Sequence, residues 1–500
     1  MKHFYLFVIS IIALIGLGSC ERQSKTLYAI KVDDKHLCTS AEQDVDIKYY
    51  VHENILNSDT KFSVTSSEDW VTVSDCSTIG QVRLHVANNE GENRSAEITI
   101  SAPSCVTAKF TLVQYGTPPA EANHTLMFYF FGTSLGRYFK TNIEDAVAAI
   151  NEGILGNNNR VIIFRQESKD KAYISELCYD VDGGECIEQR IEEITLNTNE
   201  IITPDEMGGY ISKMAELAPA KRYGIVIAGH GQGWITREII NNDKDISALS
   251  VGYNPWMPAA GAEVTRAFGE SNVQVNIDEL AEGIEKSGVE LDYILFDACF
   301  MANIEAIYEL RNAANYIIAS PCEIMGKGFP YHRTLPYLFE NEGMTTDYEG
   351  AAESYYKFYK DEYTGSSRCG SITVFNCSEI EALAEATKEV VKSAKSNDDI
   401  DIDALQTYEG QATHHFYDFG QWVKTVATDK DALKAFNEQM AKSVVATYSL
   451  PTFYSAYGSY GTYNINLDVY TGVTTSAPSE AYPKGWRKTS WYKAVWELEN

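Results

Sequence analysis

Two different periods of apolar residues divide the chain. Between residues 26 and 116, short runs alternate apolar and polar side chains: "DIKYYV", "KFSVTS", "WVTVS", "QVRLHVA", "AEITIS" and "KFTLVQYG". A period of two puts every second side chain on one face, which predicts a small antiparallel β-sandwich. From His124 the pattern changes. "HTLMFYFFG", "RVIIFRQ", "YGIVIAGHG" and "DYILFDAC" contain apolar runs without alternation, as strands covered on both faces must. Helices are expected between them, over 140–153, near 206–217 and near 277–288. This alternation predicts an α/β fold with a mostly parallel sheet and helices on both faces. "TPPAEAN", residues 117–123, is stiffened by its Pro-Pro pair and reads as the linker between the two regions.

The N-terminus bears on compartment. Lys2 and His3 precede an apolar run from about Phe4 to Leu17, too short to span a bilayer, which predicts an export signal. Its end, "LGSC", resembles a bacterial lipobox, in which the cysteine, here Cys20, is lipidated and becomes the first residue of the mature chain. The expected organisation is a signal peptide over 1–20, a β-sandwich over 21–116, a linker over 117–123 and an α/β domain over 124–500. An outer-membrane lipoprotein follows, facing the periplasm or the cell surface. With 41 basic and 70 acidic side chains the net charge is −29, which repels phosphate backbones, so nucleic acid is not expected as a partner. Cys178 with Cys186, and Cys369 with Cys377, are near enough in sequence to be hairpin staples or to be free core thiols.

Parallel sheets bind ligands at the carboxyl ends of their strands. Two such ends carry chemistry here: Gly229-His230-Gly231 and Asp297-Ala298-Cys299. A buried cysteine is an ordinary core residue. Cys299, however, precedes "MANIEAIYELR", an amphipathic helical pattern, and a helix N-terminus would lower a thiol from about 8.5. The glycines beside His230 let a substrate approach the backbone closely and leave an N–H for an oxyanion. A serine hydrolase is not expected. His414 and His415 are read as surface or partner-packing residues, "NDDIDID" as a solvated loop, and Tyr454, Tyr457, Tyr460 and Tyr463 as a flexible aromatic surface.

"DWVTVS", "VANNEGENRSAEITIS" and "FTLVQYG" resemble the BACON domain, an immunoglobulin-like module of Bacteroidetes surface proteins. That resemblance implies a glycan as partner, although Trp70 is expected to pack in the sandwich and the domain to act as a spacer. The His-Gly and Asp-Ala-Cys blocks, with "ASPCEIMGKGFPY", "YDFGQWV" and "TSWYKAV", resemble the clostripain family of cysteine endopeptidases. The resemblance implies a caspase-like sheet, Cys299 as nucleophile, His230 as general acid/base, and the N–H groups of Gly231 and Cys299 as oxyanion hole. It implies cleavage of peptides after arginine, then lysine, with Asp297 as counter-ion and Glu323 as a second acid. Calcium enters as a cofactor that relatives use; "YDVDGGE" lacks the full EF-hand loop and reads first as a solvated turn.

Relatives are often cut between the two blocks. "YNPWMPAAGAEVTRAFGESN", 253–272, is expected to be an exposed loop, with Arg266-Ala267 as the bond cut and Lys244 as the alternative. The competing reading is an inactive, lipid-anchored glycan-binding or adhesion protein.

Overall fold

The computed structural model describes residues 27–56, 59–91, 94–116, 120–156, 158–179, 185–197, 202–242, 262–266, 275–339, 345–411, 413–457, 464–479 and 481–497. The chain divides into two compact units, one up to Tyr115 and one from Gly116. Cys20 and Lys244 lie outside the described residues, as do Asp180 to Gly184 of the "YDVDGGE" segment. Among the described residues no helix is long and apolar enough to cross a membrane.

The first unit is built of short strands. One sheet pairs Lys35–Cys38, Ala108–Gln114, Arg94–Ser101 and Ser63–Ser66; another pairs Gln43–Lys48, Gln81–Val86 and Val71–Asp75. The alternating residues behave as their period demands: Val82, Leu84, Val86, Ala96, Ile98, Ile100, Phe110 and Leu112 are buried together. Trp70 is only partly buried, and the Arg94 guanidinium lies 4.3 Å from its ring centre. Arg94 also donates to Gln114 Oε1 (2.8 Å) and to the Ala87 carbonyl (2.9 Å), so Trp70, Arg94 and Gln114 of the closing strand form one network.

The second unit is built on a nine-stranded mixed sheet. Its strands are β1 (Ala122–Phe130), β2 (Asn159–Gln166), β3 (Lys171–Tyr179), β4 (Cys186–Thr195), β5 (Ala220–Ala228), β6 (Leu291–Asp297), β7 (Tyr316–Ala319), β8 (Ser371–Asn376) and β9 (Val444–Ser449). The order is β4-β3-β2-β1-β5-β6-β7-β8-β9. β2, β1, β5, β6 and β7 run parallel, and antiparallel pairs extend both edges. Strand β1 begins at Ala122, inside the segment expected as linker.

Successive side chains of the apolar runs enter opposite cores. Leu126, Phe128, Phe130, Val226, Tyr293 and Leu295 pack on one face; Met127, Tyr129, Ile225, Ile227, Ile294 and Phe296 pack on the other. This explains why their sequences show no alternation. Helices cover both faces, among them α1 (Gly136–Asn151), α2 (Pro204–Leu217) and α3 (Ile277–Ser287), close to the three expected stretches. α2 and α3 each start with a capping box, Thr203 with Glu206 and Asn276 with Glu279. The nine described cysteines are free thiols. Cys369 and Cys377 flank β8 at its opposite ends, a six-residue strand about 20 Å long, and cannot meet.

Gly224 on β5 faces Tyr293 on β6, and a Cβ there would lie 2.1 Å from the tyrosine ring. The ring cannot retreat freely, because its hydroxyl is buried and donates to the Leu338 carbonyl (2.9 Å). Gly224→Ala is therefore expected to destabilise the protein by about 1–3 kcal/mol through overpacking, read as a lower urea midpoint of the full chain; an unchanged midpoint would contradict this packing.

Candidate active site

Strands β5 and β6 are adjacent and parallel, with Ala228 paired to Asp297. His230 and Cys299 therefore leave the sheet at the same level, each two residues beyond that pair. Gly231 crosses directly over the Cys299 backbone: a Cβ would come within 2.3 Å of the Cys299 carbonyl oxygen and 2.9 Å of its nitrogen. Only glycine fits this crossing.

Cys299 does not stand at a helix N-terminus, contrary to the sequence expectation. The chain first makes a turn in which Phe300 has φ of 60°, and the helix α4 (Ile304–Glu309) starts only after its cap, Asn303. The turn is fixed by Phe300 N–H on the Cys322 carbonyl (3.1 Å) and Ala302 N–H on the Ser320 carbonyl (3.0 Å). A macrodipole acts within about one turn of the helix end, so it gives the thiol little. Cys299 is fully buried, and its Sγ accepts the Ile324 N–H at 2.9 Å. Burial pushes the thiol well above its ordinary value, the nearby Glu323 carboxylate adds to this, and the Ile324 N–H and Arg266 oppose it.

What covers it is the segment around Arg266. Expected as an exposed loop, this residue is instead wholly buried. Residues 264–266 run antiparallel beside 324–326: Arg266 N–H donates to the Ile324 carbonyl (2.8 Å) and Gly326 N–H to the Val264 carbonyl (2.7 Å). The Arg266 carbonyl oxygen accepts from Gly231 N–H (2.9 Å) and, longer, from Cys299 N–H (3.4 Å). The side chain enters a closed cradle. Nη1 meets Asp297 Oδ2 (2.9 Å) and the Asp297 carbonyl (3.1 Å), Nη2 meets Asn142 Oδ1 (2.7 Å) and the Lys327 carbonyl (3.2 Å), and Nε meets the Gly326 carbonyl (3.1 Å). A guanidinium has five N–H donors, and each has an acceptor here.

Asp297 is also wholly buried, and its Oδ2 accepts the Tyr331 hydroxyl (2.7 Å) and the Phe329 N–H (3.3 Å). Burial pushes its carboxyl upward, and Arg266, Tyr331 and Phe329 N–H oppose that push. Gly328, with φ of 72°, passes so close that a Cβ would lie 2.3 Å from Arg266 Nη2 and 2.5 Å from Asp297 Oδ1. Glu323, expected as a second acid for the basic side chain, takes a different neighbour. Its Oε2 accepts the Thr265 hydroxyl (2.7 Å), and Ser455 Oγ (2.6 Å) and Ala456 N–H (3.1 Å to each oxygen) hold the rest.

His230 Nε2 lies 2.8 Å from Ser134 Oγ. This serine escaped the sequence reading, although it sits in "GTSLG", a G-x-S-x-G spacing between β1 and α1. The expectation against a serine hydrolase rests on the want of a G-x-S-x-G elbow, and this spacing removes that ground; the carbonyl held here nevertheless sits on Gly231 and Cys299, whereas an elbow serine uses the N–H of the residue after it as oxyanion donor. Asn142 and Tyr331 were also missed; a buried asparagine on the apolar face of α1 was the available signal.

The remaining expectations divide. Tyr454 and Tyr457 are buried rather than superficial, and the Tyr454 hydroxyl accepts the Glu263 N–H (2.7 Å); Tyr460 and Tyr463 lie outside the described residues. His415 is buried against Tyr482, and both histidines contact the buried Glu409, His414 through Nδ1 (3.0 Å) and His415 through its N–H (2.7 Å). Among the described residues no group of three or more His, Cys, Asp or Glu side chains is placed to hold a metal ion.

The model of the clostripain family, peptidase C11, matches residues 133–481. The chain belongs to this family. Among solved structures, a secreted C11 cysteine protease from Bacteroides thetaiotaomicron, "iotapain", is 29% identical, with a TM-score of 0.64 over 75% of this chain and 100% of that one. An inactive zymogen C11 protease from Parabacteroides distasonis is 27% identical, with a TM-score of 0.60 over 75% and 99%. No curated protein matches. The chain is thus a cysteine-type peptidase of the clostripain family.

One consequence for this peptidase is a pH-dependent stability. Burial, with a smaller contribution from the Glu409 charge, pushes the Glu323 carboxyl from an ordinary 4.5 up to about 7, against the bonds from Ser455, Thr265 and Ala456. The folded state then holds the proton more tightly than the unfolded one. Its contribution is complete below about pH 4.5 and is lost as pH rises through about 7. In a Cys299→Ala background, Glu323→Gln should flatten the fall in urea midpoint between pH 4.5 and 7. Equal slopes in the two proteins would refute this account.

Proposed function

We propose that this chain is a cysteine endopeptidase that cleaves after arginine, and less readily after lysine, through Cys299 and His230, and that the described form is a precursor holding its own Arg266 as a substrate. The observation that carries this is the seat of Arg266: side chain on Asp297, carbonyl oxygen on two N–H groups, backbone paired as an added strand. A guanidinium cradle with five acceptors favours arginine, since an ammonium has only three donors.

In the reaction, the Cys299 sulfur attacks the carbonyl carbon of the residue in this seat. The charge that develops on the oxygen is held by Gly231 and Cys299 N–H. His230 takes the thiol proton and returns it to the leaving amine as the C–N bond breaks, leaving a thioester on Cys299. Water, deprotonated by His230, then cleaves the thioester and restores the thiol. Ser134, whose Oγ lies within hydrogen-bond reach of the imidazole, holds the ring. Lipidation at Cys20, placement at the outer membrane, and a glycan-binding or spacer role for the N-terminal sandwich extend this reading from the sequence resemblances.

Self-processing is the direct test. Wild-type protein should resolve by intact mass into two chains joined at 266/267, whereas Cys299→Ala and His230→Ala should remain single chains with unaltered urea midpoints. Ser134→Ala should still be processed, more slowly. A Cys299→Ala protein that is cut like wild type would end the assignment, and a cut only at Lys244 would end that of Arg266.

Asp297→Asn separates specificity from chemistry. Losing a charge-assisted bond to the substrate costs on the order of 1.5–3 kcal/mol, so kcat/KM on arginyl peptides should fall about 10- to 150-fold. Peptides with uncharged residues before the bond should be affected far less. A uniform loss on all peptides would contradict the role of Asp297.

A further inference from the structure

Thr265 lies one residue before the arginine, and its surroundings are as specific as those of Arg266. It is buried to 5% exposure, while the preceding Val264 is 43% exposed. The enclosure therefore ends at this residue. Its hydroxyl donates to Glu323 Oε2 at 2.7 Å, and Glu323 is itself only 4% exposed. We infer that Glu323 forms a second specificity subsite, which selects a β-hydroxyl residue, threonine or serine, immediately before the arginine at the cleaved bond. This rests on the reading of Arg266 as a bound substrate.

The chemistry follows from what surrounds the carboxylate. Both Glu323 oxygens act as acceptors here. The other donors to Glu323 are Ser455 Oγ and Ala456 N–H, both belonging to the body of the protein. The Thr265 hydroxyl is the one donor among these that arrives with the segment in the seat. Valine has the same shape as threonine and nothing to donate, so its methyl would replace the hydroxyl against a buried carboxyl oxygen. A site built on a substrate hydroxyl rejects such an isostere far more strongly than an apolar pocket rejects an added group. Aspartate in that position would set two carboxylates together, which is worse still. The backbone pairing of Thr265 with Met325 fixes the side chain toward Glu323 whatever residue stands there, so selection falls on the side chain's chemistry.

The test uses four fluorogenic peptides that follow the chain's own residues 263–266: acetyl-Glu-Val-X-Arg-aminocoumarin with X as Thr, Ser, Val or Asp, on purified wild-type protein and on Glu323→Gln. In wild type, kcat/KM for Thr should exceed that for Val by about tenfold or more, with Ser between them and Asp slowest. In Glu323→Gln the ratio of Thr to Val should drop to about a third of its wild-type value or less, and Asp should recover relative to Val. Equal rates for Thr and Val in wild type would overturn the subsite while leaving cleavage after arginine intact. Failure to cleave any of the four would overturn the reading of function on which the subsite rests. Should Glu323→Gln not fold, Thr265→Val in the chain itself replaces it: its cut at 266/267 should be slower than in wild type and in Thr265→Ser, and an equal rate would refute the subsite.

Discussion

The site depends on one buried ion pair, Arg266 with Asp297, both with no exposed surface. Removing two such charges from water costs several kcal/mol each, and attraction alone offsets this poorly. The pair is tolerable because nothing is left unmet on the arginine: three carbonyls, an asparagine and the carboxylate take its donors. The surrounding architecture serves that condition. Gly328 leaves room where a methyl group would collide with both partners, α1 contributes Asn142 from its buried face, and Tyr331 shares the charge on Asp297. An arginine that arrives here is therefore held at every donor, whereas an empty cradle must be filled by water. Such a cavity discriminates by completeness rather than by the strength of a single contact.

The same segment accounts for the quiet state of the nucleophile. In the proposed reading Cys299 is the attacking group; its backbone N–H and that of Gly231 hold the Arg266 carbonyl oxygen, while burial pushes its thiol upward. The covering strand supplies both the substrate-like carbonyl and the exclusion of water. Latency and readiness are thus properties of one arrangement, and a single bond break after Arg266 would turn a tethered strand into a free chain end. The end so formed carries a new carboxylate next to the already acidic Asp297 and Glu323, which weakens its own hold on the site.

The fold was legible because its signals are local and redundant. Apolar runs of strand length and helical periods between them give the same answer, and the three expected helices lie within a few residues of those observed. His230 and Cys299 were legible because strand ends of a parallel sheet concentrate chemistry. The dipole argument for Cys299 failed because an amphipathic pattern marks which residues face the core, and does not reveal that a left-handed Phe300 interposes a turn before the helix. Arg266 was expected in an exposed loop and is buried: proline- and glycine-rich sequence reports a lack of regular structure, which a short strand paired inside the protein shares with a surface loop. Glu323 was assigned to the wrong neighbour for a related reason. Sequence places an acid near a site, but only pairing register decides that it faces residue 265 instead of 266.

That register carries a wider implication for how such a peptidase chooses its targets. In an added strand successive side chains point to opposite sides, so two adjacent residues can be enclosed only if the protein builds walls on both. Here it does: Asp297, Tyr331 and Asn142 stand around one, and Glu323 with Ser455 stands beside the other. Beyond them the walls stop at the exposed Val264, and at Glu263 the contact is through the backbone, whose N–H donates to the Tyr454 hydroxyl. Backbone contacts supply affinity to any extended chain, whereas the enclosed pair supplies the choice.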